Sequence, residues 1–178
     1  APNAWADSNS GAGVRVLVVD TGIDLNHPSL KVNIEKAKNF VSGNPLGGTP
    51  QDPNNVTDEV GHCTHCAGTV AAAYDVNSGF VGVAPSAKIL MGKVCSAQGC
   101  SMFDIAAGIN WGIEENVDVI SMSLGAPRST GNPLQDIVLN LMMRPLKKAL
   151  DSAEQAGVFT VAASGNSAQG NTSPDIGY

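Results

Sequence analysis

The feature that most constrains the fold is a short run of β-branched residues that ends at a turn. Residues 14–19 are apolar on both faces apart from Arg15, and the run stops at Asp20-Thr21-Gly22. A strand that is apolar on both faces must be covered on both faces, which is typical of parallel sheets. The sequence therefore predicts a buried parallel strand with a carboxylate at its end.

The rest of the chain alternates between similar strands and helical segments. Strands are predicted at 88–94, 117–122 and 158–163, and helices at 61–73, 101–115 and 145–156. This alternation predicts one α/β domain over residues 1–178, a parallel sheet flanked by helices. Ligands of such sheets bind beyond the carboxyl ends of the strands. Asp20, Ser123 and Asn166 all follow predicted strands, so we expect them at one edge of the sheet.

The helix boundaries rest on local signals. Ser101 and Asp104 form a plausible capping pair for the second helix, and Pro145 suits the first position of the third. Residues 129–144 precede that helix and contain apolar residues at helical spacing. This segment either packs against the body of the domain or borders a binding site. The spaced residues are Leu134, Ile137, Val138, Leu141 and Met142.

Composition and charge narrow the class of protein. Hydrophobic residues make up 43% and charged residues 15% of the chain, which is typical of a globular domain. The formal net charge of −6 argues against a nucleic-acid partner. No apolar run reaches the roughly 18 residues of a membrane span, and a signal peptide is absent or already removed. We expect a monomer that binds neither nucleic acid nor membranes.

Three polar residues together indicate acyl-transfer chemistry. Such a reaction needs a base that titrates near neutrality, a carboxylate that fixes its tautomer and a donor for the oxyanion. Asp20 at a strand end, His62 at a helix start and Asn166 after another strand can supply all three.

The segments around these residues resemble the subtilisin family of serine endopeptidases. Residues 20–23 match the family motif D-S/T-G-I/V, and residues 61–69 match G-H-G-T-H-V/C-A-G-T except at Cys63. Residues 83–85 match V-A-P, while 120–125 resemble I-N-M-S-L-G and 163–166 resemble A-A-G-N. The similarity runs from about residue 13 to the end, in the family's order, and Cys66 suggests the proteinase K-like side of the family.

The resemblance implies a role for each matching residue. Asp20 would orient His62, His62 would be the general base, and Asn166 would donate its amide to the oxyanion. The substrate would be an extended protein segment, which pairs with the chain as an added strand. The residues that would contact it are Gly99, Cys100, Ser101, Ser123, Leu124, Gly125 and, as one wall of a pocket, Gly165.

Two departures from the family pattern concern the catalytic residues. The nucleophile motif G-T-S-M-A-x-P does not occur, so the resemblance implies the N-terminal part of a catalytic domain that lacks its serine segment. A serine-less peptide-binding protein is the alternative. Cys63 replaces a glycine beside His62, where a thiol either crowds the substrate side of the ring or is tolerated.

The four cysteines allow further readings. A disulfide between Cys95 and Cys100 is preferred, and it would fit a secreted, extracellular protein. Cys66 is expected to be a free, buried thiol on the far side of the helix that carries His62. A zinc module built on the four cysteines is a remote alternative. His65 is expected to be a buried structural residue.

No cofactor is expected for the chemistry, and no metal site is predicted. A structural calcium ion is common in the family, but Ser29 and Val76 stand where oxygen ligands are expected. The usual strong calcium site therefore looks degraded, while Asp7, Asp24 and Asp75 leave weaker sites open.

Overall fold

Five parallel strands form one sheet in the computed structural model, which describes residues 2–50, 52–74, 79–125 and 131–165. The sheet order is β2-β3-β1-β6-β7, and a short hairpin of β4 and β5 stands beside it. The strands are β1 Arg15–Asp20, β2 Ile34–Asn39, β3 Lys88–Lys93, β4 Cys95–Ser96, β5 Gly99–Cys100, β6 Val119–Met122 and β7 Phe159–Ala162. The helices are α1 Pro2–Ser8, α2 His62–Ala71, α3 Met102–Glu114 and α4 Pro133–Gln155. This architecture confirms the predicted α/β fold.

Strand β1 lies at the centre of the sheet and divides the core in two. Val16 and Val18 point to the face that α2 covers, whereas Leu17 and Val19 point to the face that α3 and α4 cover. Because side chains alternate along a strand, Asp20 belongs to the α2 face. The period of the strand therefore directs this carboxylate toward the helix that begins at His62.

Strand β2 was not predicted. It lies at one edge of the described sheet, and its burial alternates poorly because Glu35, Lys36 and Lys38 line it. A strand with one open edge needs no continuous apolar run, so the signal that revealed β1 does not exist here.

Helix α4 begins earlier than predicted. Its first residue is Pro133, and the Asn132 side chain caps it by accepting hydrogen bonds from the backbone N–H groups of Leu134 and Gln135. The prediction that the helix starts at Pro145 is wrong, because Pro145 lies inside it. Residues 133–144, which the prediction placed before the helix, are the first half of the same helix.

Helix α3 keeps its predicted cap in part. The Ser101 hydroxyl accepts a hydrogen bond from the N–H of Phe103 at 3.3 Å. The Asp104 carboxylate instead accepts hydrogen bonds from the backbone and hydroxyl of Ser42. Asp104 thus ties α3 to the loop after β2. Within the described ranges, no helix combines the length and apolar content that crossing a membrane requires.

Candidate active site

Asp20 is the last residue of β1 and is almost fully buried. Its Oδ1 atom accepts hydrogen bonds from the backbone N–H of Thr21 at 2.7 Å and from Nδ1 of His62 at 2.8 Å. Its Oδ2 atom is buried without a hydrogen-bond partner among the described residues. The carboxylate is therefore held from one side, and the imidazole is its main side-chain partner.

His62 is the first residue of α2, and its side chain is 48% exposed. Because a carboxylate only accepts hydrogen bonds, the short contact assigns the proton to Nδ1 in the neutral ring. Nε2 is then left with a free lone pair. The arrangement fixes the tautomer and the orientation of the imidazole through a buried carboxylate.

The residues expected to bind substrate follow the carboxyl ends of three strands. The β4–β5 hairpin comes directly after β3, Ser123–Gly125 follow β6, and Gly165 follows β7. Gly99 and Cys100 are exposed in the hairpin, and the Ser101 hydroxyl donates to the carbonyl of Pro45 at 3.0 Å. All three groups share the edge of the sheet where Asp20 lies. Asn166 lies outside the described residues.

Comparison with known proteins agrees with this geometry. The chain matches the subtilase family over residues 11–178. The chain belongs to the subtilase family. It is 39% identical over 173 residues to the major intracellular serine protease of Bacillus subtilis, covering 96% of this chain and 48% of that protein.

Two further relatives lie at similar distance from this subtilase chain. The intracellular serine protease of Paenibacillus polymyxa is 38% identical over 180 residues, covering 100% of this chain and 49% of that protein. Subtilisin E of Bacillus subtilis is 36% identical over 179 residues, covering 100% of this chain and 41% of that protein. The subtilase chain therefore spans about half the length, or less, of these relatives.

The two free cysteines of the subtilase helix α2 differ from expectation. Cys66 is only partly buried, and its sulfur lies 4.0 Å from both ring nitrogens of His62, so the prediction of a buried thiol on the far side is wrong. Residues four apart share a helix face, and this spacing was the signal that could have placed Cys66 beside His62. Burial raises the pKa of the Cys66 thiol, and a hydrogen bond with the Ser123 side chain opposes that shift.

Cys63 points the other way, into the core on the α2 face. It is fully buried, and its sulfur lies 3.1 Å from that of Met91. Burial raises the pKa of the Cys63 thiol far above its ordinary value, with the Asp20 charge adding to the shift. The side chain that replaces the family glycine is thus accommodated beneath the helix, away from the exposed side of His62.

The remaining histidine of α2 is also placed differently. His65 is exposed, so the prediction that it is buried is wrong. One helical turn separates the two histidines, and only the His62 ring contacts Asp20 in the described hydrogen bonds.

The cysteines do not form a zinc module. Cys95 and Cys100 are joined by the expected disulfide, which bridges β4 and β5, and Cys63 is buried away from both. Among the described residues, one group of three has metal-ligand geometry: Asp20, His62 and Cys66, whose ligand atoms lie within 4.8 Å of one another. The Asp20–His62 hydrogen bond already accounts for two of these side chains.

One position of the expected calcium site lies within the described residues. Ser29 is buried, and its carbonyl accepts a hydrogen bond from the N–H of Ala73. A hydroxyl replaces the charged oxygen ligand that calcium prefers. Asp75 and Val76 lie outside the described residues.

Proposed function

We propose that the polypeptide containing this chain is a serine endopeptidase in which Asp20 and His62 are the acid and base of an Asp–His–Ser triad. The observation that carries the proposal is the 2.8 Å hydrogen bond between His62 Nδ1 and buried Asp20 Oδ1 at the carboxyl edge of a parallel sheet. Residues 1–178 then belong to one catalytic domain. The chemistry needs amino-acid side chains alone.

The proposed roles follow from the proton positions. Asp20 keeps the proton on Nδ1, so Nε2 takes the proton of the serine hydroxyl as that oxygen attacks the peptide carbonyl. The imidazolium that forms is stabilised by Asp20 and then protonates the leaving amine. Asn166 donates its amide to the oxyanion. We assign the nucleophile to a segment outside these 178 residues, which contain no G-T-S-M-A motif.

The substrate is proposed to be an extended protein segment. Gly99 and Cys100 are exposed and Ser101 is partly buried. This stretch and the stretch Ser123 to Gly125 lie at one edge of the sheet, and an extended substrate would pair with them as an added strand. The disulfide between Cys95 and Cys100 stiffens the first segment. Gly165 adds a surface without a side chain beside them.

The protein is proposed to act as a secreted monomer. The Cys95–Cys100 disulfide supports an oxidising compartment, because cytosolic thiols are kept reduced. Two relatives are named as intracellular proteases, so the compartment needs its own test. We expect proteolytic activity and the protein itself in the culture medium of the source organism; activity confined to the cell interior would contradict secretion.

The deciding experiment compares two histidine variants of the intact gene product. We expect a fluorophosphonate probe to label the wild type and His62→Ala to lower kcat by about 10⁶-fold, a figure that comes from subtilisin. His65→Ala is the matched control, since His65 lies on the same helix and is exposed. Its activity should stay within about twofold of the wild type. Equal losses in both variants would contradict the assignment of the base.

The same preparation tests the serine-less alternative. A peptide-binding protein would bind extended peptides but would not react with the probe. Binding without labelling or hydrolysis in the wild type would therefore favour that alternative.

A further inference from the structure

One carboxylate joins the two segments that carry Asp20 and His62, and the proposed chemistry does not use it. Asp58 lies just before α2. Its Oδ1 accepts hydrogen bonds from the Thr21 hydroxyl at 2.8 Å, the Gly61 N–H at 2.8 Å and the Val60 N–H at 3.2 Å. Its Oδ2 accepts from the N–H and the hydroxyl of Thr64, at 2.8 Å and 2.7 Å. Both oxygens are therefore engaged, and together they connect the loop after β1 with the start of α2, a contact called here the junction.

Thr21 and Thr64 each accept a hydrogen bond from the opposite side of this junction. The Thr21 hydroxyl lies on the loop after β1 and accepts a hydrogen bond from the N–H of Cys63 in α2, at 3.2 Å. The Thr64 hydroxyl lies on α2 and accepts from the N–H of Asp24 in that loop, at 3.1 Å. Each hydroxyl has one proton, and each gives it to Asp58. Asp58 must therefore be a group that only accepts hydrogen bonds. Because both hydroxyl protons point to Asp58, a lone pair of each threonine oxygen stays available for the backbone N–H of the opposite segment.

The Asp58 carboxylate also lies at the N-terminus of α2. Gly61 is the residue that precedes α2, and it has no side chain to cap the free N–H groups of the first turn. Asp58 accepts from the N–H of Gly61 itself and from that of Thr64 in the first turn, and it places a negative charge near the positive end of the helix.

The ionised state of Asp58 is favoured by its surroundings. Partial burial alone would raise its pKa, but hydrogen bonds from Thr64, Thr21 and Gly61 outweigh burial and hold the pKa below its usual value. The carboxylate therefore stays charged at the near-neutral pH at which a histidine base works.

We propose that Asp58 is a positioning residue that fixes α2 against the loop after β1, and so keeps the His62 ring at hydrogen-bonding distance from Asp20. The five hydrogen bonds to Asp58 and the two that cross the junction connect residues next to Asp20 with residues next to His62. The consequence for catalysis rests on the proposed function, whereas the consequence for the Asp20–His62 hydrogen bond does not.

The test substitutes Asp58→Asn in the intact gene product. Asparagine has nearly the same shape, but its NH₂ group replaces one of the two acceptor oxygens. The NH₂ group then faces N–H donors, and the threonine hydroxyl on that side can no longer donate to residue 58. The matched control is Glu59→Gln, which removes the same charge from an exposed neighbour. The first readout is the NMR resonance of the His62 Nδ1 proton, which reports the hydrogen bond to Asp20 without any need for activity.

The kinetic readout separates positioning from binding. We expect Asp58→Asn to shift or broaden the Nδ1 resonance and to lower kcat by roughly 10- to 100-fold, since displacements of about 1 Å cost up to about 10²-fold. KM should change by less than twofold, and Glu59→Gln should match the wild type in all three quantities. A normal Nδ1 resonance and normal kcat in a less stable Asp58→Asn protein would overturn the proposal, because Asp58 would then only cap the helix.

A second pair of variants keeps the test decisive if Asp58→Asn does not fold. Thr64→Ser retains the hydroxyl that bridges Asp58 and Asp24, and Thr64→Val removes it. We expect the serine variant to retain the wild-type resonance and kcat, and the valine variant to lose part of both. Equal behaviour of the two would contradict the proposal. If the wild type has no proteolytic activity, the proposed function fails while the Nδ1 resonance still decides the role of Asp58.

Discussion

Helices α2 and α4 of this subtilase chain are held in the structure in different ways. Helix α2 has 10 residues. The Asp58 and Thr21 side chains bind its first turn, and Cys63 and Ala67 pack it into the core. Helix α4 has 23 residues, yet its buried residues Leu146, Ala149 and Ala153 all lie in its second half. In the first half, Met143 packs against the core but is only partly buried. The shorter helix carries the candidate base. The position of the candidate base is therefore fixed by the contacts of the first helical turn, and not by the length of the helix.

The first half of α4 is apolar but exposed. Its stripe of large side chains lies one helical turn apart on one face, as the sequence spacing predicts. The exposed fractions are 75% for Leu134, 57% for Ile137, 55% for Val138 and 49% for Leu141. The helical spacing of these residues agrees with α4, but spacing alone does not say whether a neighbour covers the stripe.

The largest expected effect comes from within α4. Leu146→Ala should lower the free energy of unfolding by about 2–5 kcal/mol, because it opens a cavity at a fully buried site between α4 and α3. Leu134→Ala makes the same chemical change on the exposed half and should stay within about 0.5 kcal/mol. Urea denaturation of both variants measures the contrast. Similar losses would show that the first half of α4 is anchored after all.

The next effect sharpens the view of the junction between β1 and α2. A Cβ atom at Gly22 would lie 2.5 Å from the Thr57 carbonyl oxygen, with φ at +123°, so Gly22→Ala should cost about 3 kcal/mol through overlap and strain. Gly61 also has positive φ, at +82°, but has open space, so Gly61→Ala should cost about 1–2 kcal/mol. Thermal or urea unfolding compares the two. A smaller loss for Gly22→Ala would mean that the loop at Thr57 yields easily.

The two regions also differ in what the sequence could reveal. The Asp20–His62 pair was predictable because the strand end at Asp20 and the family motifs point to the same residues. The hydrogen-bonding role of Asp58 was not, because the residue lies in a loop without periodicity. Its contact with Thr21 joins positions 37 apart in the chain and exists only after β1 and α2 have packed.

The errors have physical causes of the same kind. The start of α4 was placed at Pro145 because proline usually begins a helix, but Pro133 with the Asn132 cap supplies an earlier start of the same type. Strand β2 was missed because an edge strand with Glu35 and Lys36 lacks the apolar run that marks a central strand. In both cases the local sequence allowed more than one interpretation, and tertiary packing determines which one the folded protein adopts.

A smaller effect is expected at the helix caps. Asn132→Ala removes the acceptor for two N–H groups at the start of α4, and Ser101→Ala removes one at the start of α3. Each cap is worth about 1 kcal/mol locally. Because the first half of α4 packs little, Asn132→Ala should increase hydrogen exchange near Leu134 without changing global stability. Ser101→Ala should lower the global free energy of unfolding. If Asn132→Ala instead lowered the global free energy of unfolding and Ser101→Ala did not, the start of α4 would be anchored and the start of α3 would not.

The smallest effect is the pH dependence of the Asp58 contribution. Its pKa in the folded protein lies below the ordinary value of 3.8, so its stabilisation is fully present above that value and is lost as the pH falls through the folded pKa. The difference in unfolding free energy between the wild type and Asp58→Asn should therefore be constant near neutrality and shrink below about pH 4. Asp58 remains partly open to solvent, which screens its interactions and keeps the change small. Denaturation curves at several pH values measure this difference. A constant difference down to pH 3 would mean that the shape of the carboxyl group, and not its charge, holds α2 against the loop after β1.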